Sequence, residues 1–275
     1  MSGVYYAIGG AGDGSTNPTE RWGSYTAIVT CVGVGNVAQL ACDLLVNNLQ
    51  CTLAADLNFR YVAAIVGSNP YDSPTNALTT SSQLFVDDAH KLVLLQTRSP
   101  PFSGCRKKHV NELADFLKSV GFHRIVIISS SSATQQKDAE LLGSRMRYAT
   151  NKLFDQSDID TFQSRNWMPL LPHTEDIDEY LPQYSKSLTY WLPGSGIASH
   201  LFQAFIHSPT DRVCLLNVFA SEGDNTGDAL YFAKCLDEWL NLMPGTDEKQ
   251  SSNAVWHLPP SWSLLYGSKA SERLY

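Results

Sequence analysis

The chain has 275 residues, enough for one large α/β domain or two smaller ones, because domains commonly contain about 100 to 200 residues. Hydrophobic residues make up 43%, which excludes general disorder, whereas charged residues make up 17%, below the roughly 25% of an average domain. A low charge content is typical of a surface that a protein partner covers. The formal net charge of −7 excludes nucleic-acid binding, since affinity for a phosphate backbone depends on clustered Lys and Arg.

The six cysteines are expected to be buried, reduced thiols, because no C-x-x-C pair occurs and several cysteines lie in apolar runs. No stretch approaches the roughly 20 apolar residues of a membrane span, and the N-terminus lacks the charged start and apolar core of a signal peptide. We therefore expect a cytoplasmic and nuclear protein without a membrane partner.

In chain order, residues 1–24 are rich in Gly, Ser, Thr and Asn, which predicts a flexible N-terminal arm. Residues 25–34 form a β-branched apolar run that predicts a strand, and Gly35 closes it. The apolar spacing at residues 37–46 then predicts an amphipathic helix.

Further strands are predicted from apolar and β-branched runs at residues 61–66, 83–87 and 91–97, and residues 88–90 join the last two as a hairpin. Residues 109–119 predict a helix that ends at Gly121. The run at 124–129 is apolar on both faces, as expected for a central parallel strand covered by helices.

Loops are expected between residues 133 and 190, apart from a short helix at 155–165. A turn at 193–196 then precedes a helix at 197–207, a strand at 212–219 and a helix at 228–243. This alternation predicts an α/β fold, a single three-layer sandwich domain over residues 25–266 with a mixed, largely parallel sheet.

Gly33 and Gly35 belong to a G-x-G-x-x-A run that ends at Ala38, follows a predicted strand and opens a predicted helix. Free N–H groups at such a helix start can bind a pyrophosphate. Asp56 lies about twenty residues further on, where the fingerprint has an acidic residue that binds the ribose. The segment before Asp56, however, only weakly resembles the second strand of this fingerprint. The run indicates either a dinucleotide site or a structural turn, and we favour the turn.

The loop at residues 221–225 follows the predicted strand at 212–219 and contains Glu222 and Asp224. Carboxylates outside the carboxyl end of a strand can act as acid and base or hold a metal. Alternatively, Asp224 or Asn225 caps the next helix and Glu222 remains solvated, which is the interpretation we favour.

Other catalytic patterns are weak. No G-x-S-x-G elbow or Walker loop occurs, and the serines at 129–132 have no local base. The seven histidines are scattered, without an H-x-x-x-H pair or a cysteine at metal-ligand spacing. The sequence therefore predicts no catalytic residue, no cofactor and no metal.

The end of the chain combines a small, polar segment at 267–273 with the apolar pair Leu274 and Tyr275. Fully extended, such a tail reaches about 30 Å. It is either a frayed terminus or a flexible docking tail at residues 267–275.

Six motifs in sequence order resemble the proteasome assembly chaperone 2 family. They are TCVGVGNVAQLACDL at residues 30–44, VGSNPY at 66–71, LVLLQTRS at 92–99, IISSS at 127–131, FASEGDN at 219–225 and PSWSLLYG at 260–267. Each motif alone is weak, but their shared order over most of the chain is specific. The resemblance implies a fold of the kind found in nucleoside phosphorylases, without their catalytic residues.

The resemblance also implies partners. Such proteins pair with a homologous first chaperone, bind 20S proteasome α-subunits, promote α-ring assembly and keep α-rings from dimerising, without consuming nucleotide. Arg273, Leu274 and Tyr275 are the implied docking residues, with the terminal carboxylate meeting a lysine between α-subunits. Family tails often end in a hydrophobic residue, Tyr and any residue, whereas here the tyrosine is last, so the pattern is displaced by one position.

Three functional interpretations follow, in order of preference: an assembly chaperone, a nucleotide- or nucleoside-binding enzyme of related fold, and an α/β interaction protein of another kind. Nucleotide binding would distinguish the second from the others. Co-purification with α-subunits would distinguish the first from the third.

Overall fold

The computed structural model describes residues 6–7, 21–71, 78–172, 188–243 and 255–264. The strands within these ranges are β1 (Tyr6–Ala7), β2 (Thr26–Thr30), β3 (Thr52–Leu57), β4 (Val66–Ser68), β5 (Leu78–Thr80), β6 (Ser82–Asp87), β7 (Leu92–Thr97), β8 (Arg124–Ser132), β9 (Met146–Thr150), β10 (Met168–Pro169) and β11 (Val213–Ala220). The α-helices are α1 (Val37–Asn48), α2 (Arg106–Val120), α3 (Gln156–Ser164), α4 (Ala198–Phe205) and α5 (Thr226–Leu240).

Nine of these strands form one mixed sheet in the order β1-β3-β6-β7-β2-β8-β11-β9-β10. Its four central strands, β7, β2, β8 and β11, are parallel to one another. Antiparallel pairs flank this centre on both sides, and β9 and β10 pair in parallel at one edge. The mixed α/β sheet is thus confirmed, with its parallel part in the middle. Strands β4 and β5 form a separate antiparallel pair.

Helices cover both faces of the sheet, because the side chains of the central strands alternate between two apolar layers. On β8, Ile125 and Ile127 face the layer that contains α2 and α4, whereas Val126 and Ile128 face the layer that contains α1, α3 and α5. All four are fully buried, and each contributes about 1.5 to 3 kcal/mol of transfer free energy. A strand buried on both faces must read as a continuous apolar run, which is why this one was recognisable.

Most predicted elements are confirmed within a few residues. The hairpin of β6 and β7, the helix α2 ending at Gly121 in the left-handed conformation, and the short helix α3 all lie where the sequence placed them. Helices α4 and α5 and strand β11 also match their predictions.

Two predictions were wrong. The run at 61–66 forms no strand of its own: Val62 makes an isolated bridge to Pro101, and only Val66 belongs to a strand, as the first residue of β4. The neighbouring strand is instead β3, which the sequence suggested only weakly, since its first residues are exposed and it carries few β-branched side chains. Loops were also expected throughout most of 133–190, yet β9 pairs with β11 there.

Parts of the predicted arm at residues 1–24 lie within the described ranges. Tyr6 and Ala7 pair with Leu57 and Asp56 at the sheet edge. Trp22 is buried in the layer that contains α2. The division of the chain into arm, domain and tail remains a prediction.

The six cysteines are free thiols. Four are buried, as predicted, whereas Cys51 and Cys105 are only partly buried. Burial raises the pKa of Cys31 and Cys235 to about 12, so these thiols stay protonated at neutral pH. None of the helices in the described part of the chain is long and apolar enough to cross a membrane.

Candidate interaction site

The glycine-rich turn after β2 packs closely against two other loops of the protein. The Val34 N–H donates to the Gly194 carbonyl over 3.0 Å. Gly35 has a φ of 64° and packs so closely on Asn225 that a Cβ would overlap its side-chain amide. The turn therefore brings two distant loops together, which agrees with the structural interpretation of the G-x-G-x-x-A run.

Asp56 does not lie where a dinucleotide fingerprint requires its acid. It belongs to β3, which is separated from β2 by β6 and β7. Its Oδ1 accepts hydrogen bonds from Thr80 Oγ1 at 2.8 Å and Gln83 Nε2 at 3.0 Å. The carboxylate thus helps to hold β5 and β6 in place, far from the turn.

The loop at 221–225 is organised by capping contacts. Asp224 Oδ1 accepts the Thr226 N–H at 3.0 Å, at the start of α5. Asn225 is buried, and its amide donates to the carbonyls of Ser221 and Gly223. Glu222 is exposed beside a cavity, so the two carboxylates of this loop have different surroundings.

A cavity of about 550 Å³ lies at the carboxyl edge of the sheet, the edge where β2, β8 and β11 end. Residues from four segments line it: the turn after β2, the first residue of α2, the loop 188–196 with the first turn of α4, and Glu222. Ligands of open α/β sheets commonly bind at this edge.

A buried polar network joins α1 to β7. Asp43 accepts hydrogen bonds from both terminal nitrogens of Arg98, at 3.2 and 2.8 Å, from Gln96 Nε2 at 2.8 Å and from the Tyr71 hydroxyl at 2.7 Å. The side chains of Asp43 and Arg98 are 7% and 19% exposed, so little water screens their attraction. Burial, followed by the charge of Asp43, raises the pKa of Tyr71 well above its usual value, so the hydroxyl keeps its proton and acts as a donor.

This network also supports the last described segment of the chain. Tyr71 is preceded by Pro70, whose carbonyl accepts the Ser261 N–H at 3.3 Å. Trp262 is buried in the layer that contains α1. At the end of α1, the Asn48 side chain exchanges two hydrogen bonds with the His257 backbone, at 2.8 and 2.7 Å. Residues 255–264 are therefore fixed on α1 and on the loop that carries Tyr71.

The predicted docking residues Arg273, Leu274 and Tyr275 lie outside the described residues. The last described segment, residues 255–264, is held at Ser261 by a hydrogen bond to Pro70. Sequence reasoning missed three side chains of the carboxyl-edge cavity, Arg106, Ser199 and His200. Ser199 and His200 lie in the first turn of α4, and the Pro193–Gly196 turn that precedes this helix was the available signal.

Histidines contribute no metal cluster within the described residues, where no group of three His, Cys, Asp or Glu side chains has suitable geometry. His109 is a core residue whose ring meets Phe59 edge to face at 5.2 Å. Burial lowers its pKa to about 4, so it is neutral at physiological pH.

The chain is similar in sequence and in fold to known proteins. The model of the PAC2 family matches residues 27–222. The chain belongs to the PAC2 family. The match begins in β2 and ends at Glu222, so it spans the central sheet and the lining of the cavity.

Among PAC2-family relatives, proteasome assembly chaperone 2 of Danio rerio is 32% identical over 248 residues, covering 89% of this chain and 92% of the relative. The Homo sapiens protein of the same name is 30% identical, covering 91% of this chain and 95% of the relative. A solved structure of Pyrococcus furiosus PbaA, described as an archaeal homolog of proteasome-assembly chaperone, superimposes with a TM-score of 0.55 at 13% identity, covering 82% of this chain and 81% of that chain. That structure supports the fold alone.

Proposed function

We propose that this protein is a proteasome assembly chaperone that works by binding rather than by catalysis. The observation that carries the proposal is the likeness to relatives named proteasome assembly chaperone 2 over about nine-tenths of the chain. In this proposal it pairs with a homologous first chaperone, binds 20S α-subunits, promotes α-ring assembly and prevents α-rings from dimerising off the pathway.

The local geometry agrees with a binding role. The turn that resembled a dinucleotide site packs against Gly194 and Asn225, and Asp224 accepts the N–H of Thr226, the first residue of α5. These contacts give the turn and Asp224 structural roles, and no specific observation favours the enzyme interpretation.

Exposed apolar side chains support pairing with a second chaperone. Ile65, Val66 and Leu78, on and next to the β4–β5 pair, are 46%, 66% and 62% exposed. Exposed apolar side chains that lie together are typical of a surface that a partner covers. Together with the low charge content, they favour a heterodimer over an isolated chain.

Docking on the α-ring is assigned to Arg273, Leu274 and Tyr275. Burying the last two side chains would contribute about 1.5 to 3 kcal/mol each, whereas fixing a tether costs roughly 1 to 2 kcal/mol per residue. One tail alone should therefore bind weakly. Useful affinity requires the folded body or the partner's tail to bind at the same time, since the second contact then has a millimolar effective concentration.

Co-purification with α-subunits tests the function. The heterodimer should retain α-subunits, and a chain lacking residues 273–275 should retain fewer while keeping its melting temperature and its partner. Ser268→Ala with Ser271→Ala is the matched control, because it alters the tail without touching the docking residues. Equal retention by the truncated and intact heterodimers would reject the docking tail, and no retention by either would reject the chaperone function.

A further inference from the structure

The cavity at the carboxyl edge has an arginine and the starts of two helices in its lining, and the proposed function does not use them. The first residue of α2, Arg106, and the first turn of α4 both face it. Neither helix has an acidic residue in its first turn or a side-chain cap. The N–H groups of a first helical turn have no partner within their own helix, and the helix dipole places partial positive charge there.

Two polar side chains in the lining lack a hydrogen-bond partner in the described part of the protein. Ser199 is 6% exposed, and its buried Oγ makes no hydrogen bond. The neighbouring His200 has a buried Nδ1 without a partner. Burial and the nearby charge of Arg106 lower the pKa of His200, so the ring is neutral at pH 7. Unpaired buried polar atoms destabilise a fold, which makes them candidates for ligand contacts.

Apolar side chains form the rest of the wall, notably Leu188, Trp191 and Leu192. The volume of about 550 Å³ lies within the usual range of small-ligand sites, roughly 300 to 1,000 Å³. The lining therefore combines a cationic and hydrogen-bonding part with an aromatic and aliphatic part. Glu222, also in the lining, adds negative charge and so disfavours a dianion such as a phosphate group.

We propose that this cavity binds a carboxylate attached to an apolar or aromatic group, with Arg106, Ser199 and the first turn of α4 contacting the carboxylate and Trp191 contacting the apolar part. Two sources supply this chemistry: a free organic acid, and the C-terminal carboxylate of a peptide that ends in an apolar residue. The carboxylate is the shared element that the site recognises.

Ligand-observed NMR with the full chain tests the proposal. The probes are hydrocinnamate for the free acid, and acetyl-Ala-Ala-Phe with a free carboxylate for the peptide end. Each has a neutral control, hydrocinnamamide and the peptide amide. Because a hydrogen bond to a charged group contributes about 1.5 to 3 kcal/mol, each carboxylate should bind at least tenfold more tightly than its amide. Binding of only one carboxylate identifies the source.

Variants locate the binding. Arg106→Gln should weaken carboxylate binding about tenfold, whereas Lys107→Gln, which removes the same charge from the next residue of α2, should leave it unchanged. Ser199→Ala should weaken binding while the melting temperature of the free protein stays the same or rises, since it removes an unpaired buried hydroxyl. If Ser199 had only a structural role, its replacement would instead lower the melting temperature.

Three results would overturn the proposal: no binding of either carboxylate at millimolar concentration, equal binding of acid and amide, or equal losses in the Arg106 and Lys107 variants. α-Subunit retention by the Ser199→Ala chain should remain normal. The cavity and the chaperone function therefore fail or succeed independently.

Discussion

Replacing Arg98 by Met tests whether the buried network holds the domain together. The substitution removes a guanidinium that donates twice to Asp43, while the unbranched side chain of Met fills most of its space. Asp43 would keep its bonds from Gln96 and Tyr71 but would lose its counter-charge at a site where its side chain is 7% exposed.

Breaking a buried ion pair from one side costs about 3 to 5 kcal/mol, because the remaining charge stays desolvated. With a denaturant dependence of about 3 kcal/mol per molar urea, the unfolding midpoint should fall by roughly 1 M or more. Urea unfolding followed by tryptophan fluorescence measures this shift.

The surface pair of Arg21 and Asp88 supplies the control. Their nitrogen and oxygen are 2.6 Å apart, but the two side chains are 57% and 54% exposed. Arg21→Met should therefore cost no more than about 1 kcal/mol. Adding Asp43→Asn to Arg98→Met should recover part of the loss, since Asn keeps an acceptor for Gln96 and Tyr71 without the charge. Equal midpoint shifts for the Arg98 and Arg21 variants would refute the reasoning.

Three further predictions concern stability. Gly35→Ala should destabilise the fold by several times more than Gly104→Ala. Both glycines have a positive φ, which costs an L-residue about 1 to 2 kcal/mol. Only at Gly35, however, would a Cβ overlap a neighbour, Asn225. Chemical unfolding of both variants measures the difference, and equal losses would contradict close packing at the turn. The pKa of His109 is about 4 in the folded protein and about 6.5 in the unfolded chain. The neutral ring therefore contributes stability that is fully present above pH 6.5 and is lost as the pH falls towards 4. At pH 5 the loss is on the order of 2 kcal/mol. In the His109→Phe variant, the melting temperature should depend less on pH between those values. An unchanged dependence would show that other groups cause it. Trp262→Ala should expose the segment at 255–264 to limited proteolysis before the domain unfolds, because that indole is its buried anchor; simultaneous cleavage of domain and segment would count against this.

Sequence reasoning succeeded where burial alone determines an element. β2, β8 and β11 are apolar on both faces because helices cover both sides of the sheet, and α1 and α2 carry the corresponding apolar stripes. It failed where a long-range partner determines the element. β9 contains Arg147, which is 2% exposed and donates to the carbonyls of Glu140 and Leu142. A charged residue in a short segment predicts a loop until its pairing with β11 and the acceptors of the arginine are known.

The candidate site shows the same limit. The turns that border the cavity were recognisable from Gly and Pro, and Glu222 from its position after a strand. The Asp43–Arg98 network was not, because its members are 55 positions apart and each alone resembles a surface residue. Ser199 likewise becomes notable only when its hydroxyl is seen to be buried without a partner.

The seating of residues 255–264 on α1 has a consequence for synthesis. Asn48, Pro70 and Tyr71 leave the ribosome long before the segment at 255–264, which binds them through His257, Ser261 and Trp262. Chains generally fold from the N-terminus as they are made, so the side of α1 that Trp262 covers stays open to water until residue 262 has been translated. A message truncated before codon 262 would thus yield a domain with its sheet complete and this apolar patch uncovered, a species prone to aggregate or to be degraded. The last segment that the structure describes, residues 255–264, therefore covers α1, the first helix of the chain.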